Sequence, residues 1–262
     1  MIKIIFILIL KSILYSADIS KFELPIGLTD EEKLRLDEIN LMALITDPPV
    51  GPLRNVSEFE RMQGVLIRYP FGISNAIIAE ISEDVNVYCL VSSSLETAAY
   101  NSMNNSGVNM NNVEFILGQT DSYWTRDYGP WWVVDGQKNM SVVDFTYNRP
   151  RPNDNDAPLK VSDYLEVPFY ASDIIHAGGN YMTDGLGISA SSDLVFLENE
   201  ESDSLILDLM YDYYGIQTYH VIDDPNNTYI DHIDCWGKYL SPTKVLIREV
   251  PENHPQYEMI EQ

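Results

Sequence analysis

The chain has 262 residues, with 16 basic against 40 acidic side chains and a formal charge of −24. That charge disfavours nucleic acid and anionic membrane surfaces as partners and favours cationic ligands, although a solvated acidic surface that aids solubility accounts for it equally well. Hydrophobic residues make up 45% of the chain, enough to bury a core, while two cysteines are too few for a disulfide scaffold.

The first 17 residues have the form of a signal peptide. Lys3 supplies positive charge, residues 4–10 are apolar, and the small residues Ser16 and Ala17 follow. Export to the periplasm or the outside of the cell is the expectation. Lys11 interrupts the apolar stretch, so no membrane span is expected there. Residues 18–57 read as a helical and loop extension. Thr29 and Glu32 form a capping box, and Leu34, Ile39, Leu41 and Met42 predict a helix over 29–45 that Asp47-Pro48-Pro49 ends.

From residue 58 the pattern alternates. Strands are predicted at 64–68, 85–91 and 113–117, with helices at 74–81 and 95–104 between them. Later strands are predicted at 131–134, 142–145, 193–196 and 244–248, and a helix at 205–213. Cys89, in an apolar run, reads as a buried core thiol. Such alternation predicts an α/β fold, but periodicity alone does not separate a doubly wound sheet from a propeller of small α/β units. Neither common nucleotide-binding glycine fingerprint is present, and no cofactor or metal site follows from spacing. The acidic residues around Asp154 and Asp156 read as a solvated loop rather than a calcium site.

Three segments stand out: Trp124-Thr125-Arg126-Asp127-Tyr128-Gly129-Pro130, His176-Ala177-Gly178-Gly179-Asn180, and Asp231-His232-Ile233-Asp234-Cys235-Trp236. If the third is extended, His232 and Asp234 share one face and Cys235 points to the other. A carboxylate beside His232 would raise its pKa and favour the charged acid form. An isolated His-x-Asp is more simply a solvated strand edge. In an extended first segment, Asp127 would point away from Arg126 and be free to bind a ligand. The paired glycines suit either a tight turn or a close approach of backbone to a ligand.

In this order the segments resemble the bacterial, Porphyromonas-type peptidylarginine deiminases, relatives of the agmatine deiminases in the guanidine-modifying superfamily. The resemblance implies a pseudo-fivefold α/β propeller, the pentein fold, over residues 58–262. It also implies a hydrolase acting on linear amidines, in which a cysteine attacks the guanidinium carbon, ammonia leaves and a covalent thiouronium intermediate is hydrolysed. By the same resemblance Asp127 and Asp234 would clamp the guanidinium and His232 would serve as acid and base. Trp124, Tyr229, Gly178, Gly179 and Asn180 would line the substrate. Arg149 and Arg151, in Tyr147-Asn148-Arg149-Pro150-Arg151, would hold the carboxylate of a C-terminal peptidyl-arginine. Agmatine, the alternative substrate, which leads to putrescine, has no carboxylate and would leave two buried arginines unpaired. The expected partner is therefore an arginine-containing peptide or small guanidine.

The chain departs from this pattern at its end. The family's nucleophilic cysteine lies well beyond the His-x-Asp segment, and no such motif follows Asp234 here. The expectation is a propeller incomplete in its last unit and inactive alone, from a fragment or from a short arginine-binding protein.

Overall fold

In the N-terminal segment the capping box forms: Thr29 N–H donates to Glu32 Oε2 at 2.8 Å, and Glu32 N–H donates to Thr29 Oγ1 at 3.2 Å. The helix predicted over 29–45 does not. Short 3-10 turns at Glu32–Leu34, Leu36–Glu38 and Asn40–Met42 take its place. Leu34 and Leu41 are 84% and 83% exposed, so the apolar stripe finds nothing to cover. A short helix without a buried face is marginal. Instead, scattered anchors draw the segment along the body of the protein: buried Glu32 and Ile39, and Thr46, whose N–H donates to Ala171 O at 3.0 Å. The structure, a computed structural model, describes residues 24–199, 202–226 and 230–261. The signal-like stretch 1–17 and Tyr229 lie outside them. Among the described residues no helix is long and apolar enough to cross a membrane.

Beyond this segment the α/β alternation is realised. Strand β1 (Leu53–Asn55) precedes β2 (Gly64–Arg68), helix α1 (Asn75–Asp84), β3 (Asn86–Val91), α2 (Glu96–Asn104) and β4 (Val113–Leu117). Ser74 caps α1 by accepting from Ile77 N–H. Strands β2, β3 and β4 form a parallel sheet in that order. Parallel strands are usually covered on both faces, and β3 shows why its sequence is apolar throughout. Val87, Cys89 and Val91 pack with Ile78, Ala99 and Met103 of the two helices. Tyr88 and Leu90 pack on the other side with Tyr128, Tyr147 and Val161.

A single helical turn, α3 (Thr125–Tyr128), leads into β5 (Trp131–Asp135) and β6 (Met140–Tyr147). Next come α4 (Pro152–Asn155), α5 (Ala157–Leu165) and β7 (Phe169–His176). These strands join β1 in a mixed sheet of order β1-β5-β6-β7. Helix α5 covers the parallel sheet through Ala157 and Val161. Asp154 is fully buried rather than solvated, and its carboxylate accepts from Asp121 N–H, Ser122 N–H and Ser122 Oγ at 2.7, 3.0 and 2.6 Å. Among the described residues no acidic or His/Cys cluster is arranged to hold a metal ion.

The rest of the described chain builds two smaller sheets. Strand β9 (Ile188–Ser192) pairs with both β8 (Met182–Thr183) and β10 (Thr218–Ile222), and β11 (Gly237–Ser241) pairs with β12 (Lys244–Ile247). The strand predicted at 193–196 is instead a helical turn, α6 (Leu194–Leu197), whose Val195 carbonyl accepts from Asn199 Nδ2 at 2.7 Å. A four-residue apolar run fits either element, and a local cap decides this one. Helix α7 (Asp203–Tyr214) lies on the mixed sheet, where Ile206, Met210 and Tyr214 meet Trp131, Phe145 and Ile174.

Candidate active site

The three segments singled out above converge on one point. Each is carried by a tight turn at the end of an element, so the side chains sit at element ends rather than along strands. Asp127 lies in α3, which is helical, so the extended geometry expected for Arg126 and Asp127 is absent. The Gly178–Asn180 turn follows β7 directly. His232 is extended, but Ile233–Cys235 forms a 3-10 turn. Alternation of faces therefore does not place Asp234 beside His232. The turn does, and Asp231 introduces it with a left-handed backbone (φ 47°), a conformation Asp tolerates better than most residues.

Gly179 marks the meeting point. A Cβ there would collide with His232 Nδ1, and would lie 2.6 Å from Asp127 Oδ1 and 3.2 Å from Asp234 Oδ2. Three functional side chains thus converge within contact distance of one backbone position, and only glycine leaves them room. Gly179 N–H donates to Asp127 Oδ1 at 3.2 Å. At Gly178 a Cβ would collide with the Arg126 carbonyl. Asn180 has a positioning part that its motif did not reveal: its Oδ1 accepts from Ser192 N–H at 2.7 Å and Ile233 N–H at 3.4 Å, tying the His232 turn to the glycine turn.

Buried polar atoms here lack partners. Among the described residues neither ring nitrogen of His232 makes a hydrogen bond, and the same holds for Asn180 Nδ2 and Arg126 Nε. Such atoms are uncommon in protein interiors and call for an explanation, a ligand being one. A cavity of about 620 Å³ lined by residues including Arg61 and Asp84 contains none of the site residues.

The electrostatics differ from the expectation for His232. Its Nδ1 lies 3.5 Å from Asp127 Oδ1, too far for a hydrogen bond. Burial, followed by repulsion from Arg149 and Arg126, lowers its pKa to about 3. The ring is neutral at physiological pH, because desolvation and two guanidinium groups outweigh a nearby carboxylate. Asp127 is raised to about 6, first by burial and then by Asp234. Asp234 is also raised, mainly by burial, with Arg126 and Lys238 pulling the other way. Glu58 pairs with both Arg126 and Lys238, and Arg126 Nε stands 3.9 Å from Asp234 Oδ2. Nothing local in the sequence ties Glu58 to this network, since its partners Arg126 and Lys238 lie far along the chain from it.

The two cysteines are poorly set up for attack. Cys89 is buried in the core with its thiol pushed up to about 12 by desolvation. Cys235 is exposed and does not face away from the site as the extended reading implied. Burial and then the neighbouring Asp234 carboxylate raise it to about 11, which keeps the thiol protonated at neutral pH.

The arginine pair is already occupied. Arg151 Nε lies 2.6 Å from Glu32 Oε1 and its Nη2 3.2 Å from Glu32 Oε2. The same Nη2 donates to Pro25 O at 2.8 Å and Gly27 O at 3.1 Å. Arg149 Nε donates to Ile26 O at 3.1 Å, its Nη1 to Asn148 O at 2.9 Å, and Trp124 Nε1 to Leu24 O at 3.0 Å. The carboxylate that Arg151 was expected to receive from a ligand comes from the protein's own Glu32. The objection to a substrate without a carboxylate therefore fails for Arg151, whose buried charge is compensated from within.

A family profile described as Porphyromonas-type peptidyl-arginine deiminase matches residues 72–262. The chain belongs to this family. Its members are deiminases, hydrolases of C–N bonds. The agmatine deiminase of Ectopseudomonas mendocina is 26% identical over 166 residues, 56% of this chain and 45% of that protein. The chain spans about half the length of the curated relatives it matches. Among solved structures, the agmatine deiminase of Enterococcus faecalis superposes with a TM-score of 0.69 at 19% identity, over 82% of this chain and 68% of that one. That of C. jejuni gives 0.65 at 17%, over 80% and 67%. Identities this low show the shared α/β fold and nothing finer.

Proposed function

We propose that Asp127, Asp234 and His232 form a guanidinium-binding site of deiminase type, with its sheets arranged as units of an α/β propeller. The observation that carries this reading is the meeting of two carboxylates and a neutral imidazole around Gly179, where the ring nitrogens have no partner. A planar guanidinium presents several N–H donors in a fork and suits two carboxylates better than an ammonium does. His232, neutral beforehand, would accept a proton or a hydrogen bond rather than arrive as an acid. Its later acid role in the reaction requires that it first take up a proton in the complex. Asp127 and Asp234 would orient the central carbon, and orientation is the larger part of what such a clamp supplies to catalysis.

Covalent turnover needs a thiolate that neither cysteine of this chain provides, so the 262 residues supply recognition and proton handling. The test is calorimetric titration of the purified chain with agmatine. Binding at neutral pH that weakens by about tenfold or more in both Asp127→Asn and Asp234→Asn supports the clamp. Undiminished binding in both variants refutes it. No ureido product is expected from arginine or agmatine incubated with the chain alone, and its steady release would contradict the assignment of the cysteines.

A further inference from the structure

Residues 24–32 cross the arginine end of the site as a strap, and their contacts form a regular series. The carbonyls of Leu24, Pro25, Ile26 and Gly27 accept, in order, from Trp124, Arg151, Arg149 and again Arg151. Every protein donor in that series belongs to a residue with which the site would hold the far end of a substrate. The strap then turns through its Thr29–Glu32 capping box and delivers the Glu32 carboxylate side-on to the Nε and Nη2 edge of Arg151. This is the two-point geometry a ligand carboxylate would use. The contact is inside the protein: the side chains of Arg151 and Glu32 are 1% and 6% exposed. Burial works against the charge on Glu32, but the hydrogen bonds from Arg151 and Thr29 outweigh it and hold the carboxyl below its ordinary range.

We infer that Glu32 and the strap are a specificity determinant: they occupy the arginine pair as an internal carboxylate ligand and so select guanidinium compounds that lack an α-carboxylate. The inference rests on the guanidinium reading of Asp127 and Asp234. A ligand carboxylate reaching Arg151 would have to displace a bidentate partner already in place, whose own desolvation was met when the chain folded. A guanidine with a neutral or cationic tail makes no such demand. Removing Glu32 reverses the situation, because Arg151 becomes a buried unpaired cation that an incoming carboxylate can satisfy.

The test compares agmatine with arginine, which differ by that carboxylate, on the full chain and two variants. Glu32→Ala removes the internal ligand, and Thr29→Ala keeps the carboxylate but loosens its support, so the question survives if one variant folds poorly. Calorimetry of the unaltered chain should give arginine binding at least tenfold weaker than agmatine binding. Glu32→Ala should improve arginine by about tenfold or more without improving agmatine, with Thr29→Ala intermediate. Arginine binding as tight as agmatine in the unaltered chain would overturn the inference, and so would an equal gain for both ligands. In either case agmatine binding leaves the clamp reading standing. Failure of both ligands on all three proteins would remove the clamp reading, and the inference with it.

Discussion

Asp127, His232 and Asp234 at one end of the site, and Arg149 and Arg151 at the other, were all singled out from short motifs yet differ in state. At the Gly179 end, buried ring nitrogens have no partner and two carboxylates are raised above their ordinary range. At the arginine end most donors are met by the protein's own backbone and by Glu32, with buried Arg151 Nη1 the exception. A buried polar group left unpaired weakens a fold unless something binds there, whereas a paired one is structural until its partner is removed. The difference places most of the unmet groups at the Gly179 end. It also shows that a binding motif in sequence does not establish a vacant binding site.

The change expected to damage the clamp most, while sparing the strap, is Gly179→Ala. Its methyl group would enter the space between His232 and Asp127, both fixed by their own turns. Guanidinium binding should fall more than a hundredfold, with a loss of stability of about 1–3 kcal/mol from overpacking. Near-normal affinity by calorimetry would show that the three side chains do not converge in solution as described. Asp127→Asn comes next. It removes one charge-assisted contact worth roughly 1.5–3 kcal/mol, a loss of about 10- to 150-fold in agmatine affinity, and arginine should weaken in parallel.

The pH dependence is a third way to separate the two ends. Asp127 is raised to about 6 from the ordinary 3.8. A cation binds its ionised form, so agmatine affinity should be full above pH 7 and decline as pH falls through about 6. The stability of the unliganded protein moves oppositely. A carboxyl whose folded pKa is raised takes up its proton earlier in the folded than in the unfolded state, so Asp127 favours folding in acid and loses that contribution between about pH 4 and 6 as pH rises. Glu32 has the reverse sign: its lowered pKa stabilises the strap above about pH 4.5 and loses that contribution in stronger acid. Affinity profiles flat from pH 5 to 8 would contradict the Asp127 assignment. The smallest effect is expected for Glu58→Gln, which loosens Arg126 and Lys238 around Asp234 without touching the ligand. A few-fold loss of affinity is expected, and loss comparable to Asp127→Asn would mean that Glu58 itself contacts the guanidinium.

Much of this arrangement was legible in the sequence, for reasons that also explain the misses. Strands β2, β3 and β4 and the helices between them were readable because their apolar runs, and the Ser74 cap of α1, agree locally with the fold. The site residues were readable as motifs, but the reason first given for their geometry was wrong at Asp127 and at Asp234. Both sit in single helical turns set by tertiary contacts, which strand periodicity cannot foresee. The neutral state of His232 was hidden because the two residues that depress it after burial, Arg149 and Arg126, are remote in sequence. Glu32 was read correctly as half of a capping box, yet nothing local indicates that the same carboxylate reaches Arg151, 119 residues on. Short β8 and the serine-rich β9 lacked an apolar run to betray them.

The central claim is that two carboxylates and a neutral imidazole at Gly179 recognise a guanidinium cation. It is tested most directly by comparing agmatine with its ureido counterpart, which has nearly the same shape but a neutral planar head. Titrated calorimetrically into the chain at pH 7.5, agmatine should bind and the ureido compound should bind at least a hundredfold more weakly. Equal affinities would contradict the claim, because a site built on Asp127 and Asp234 has no means of treating a neutral head and a cationic one alike.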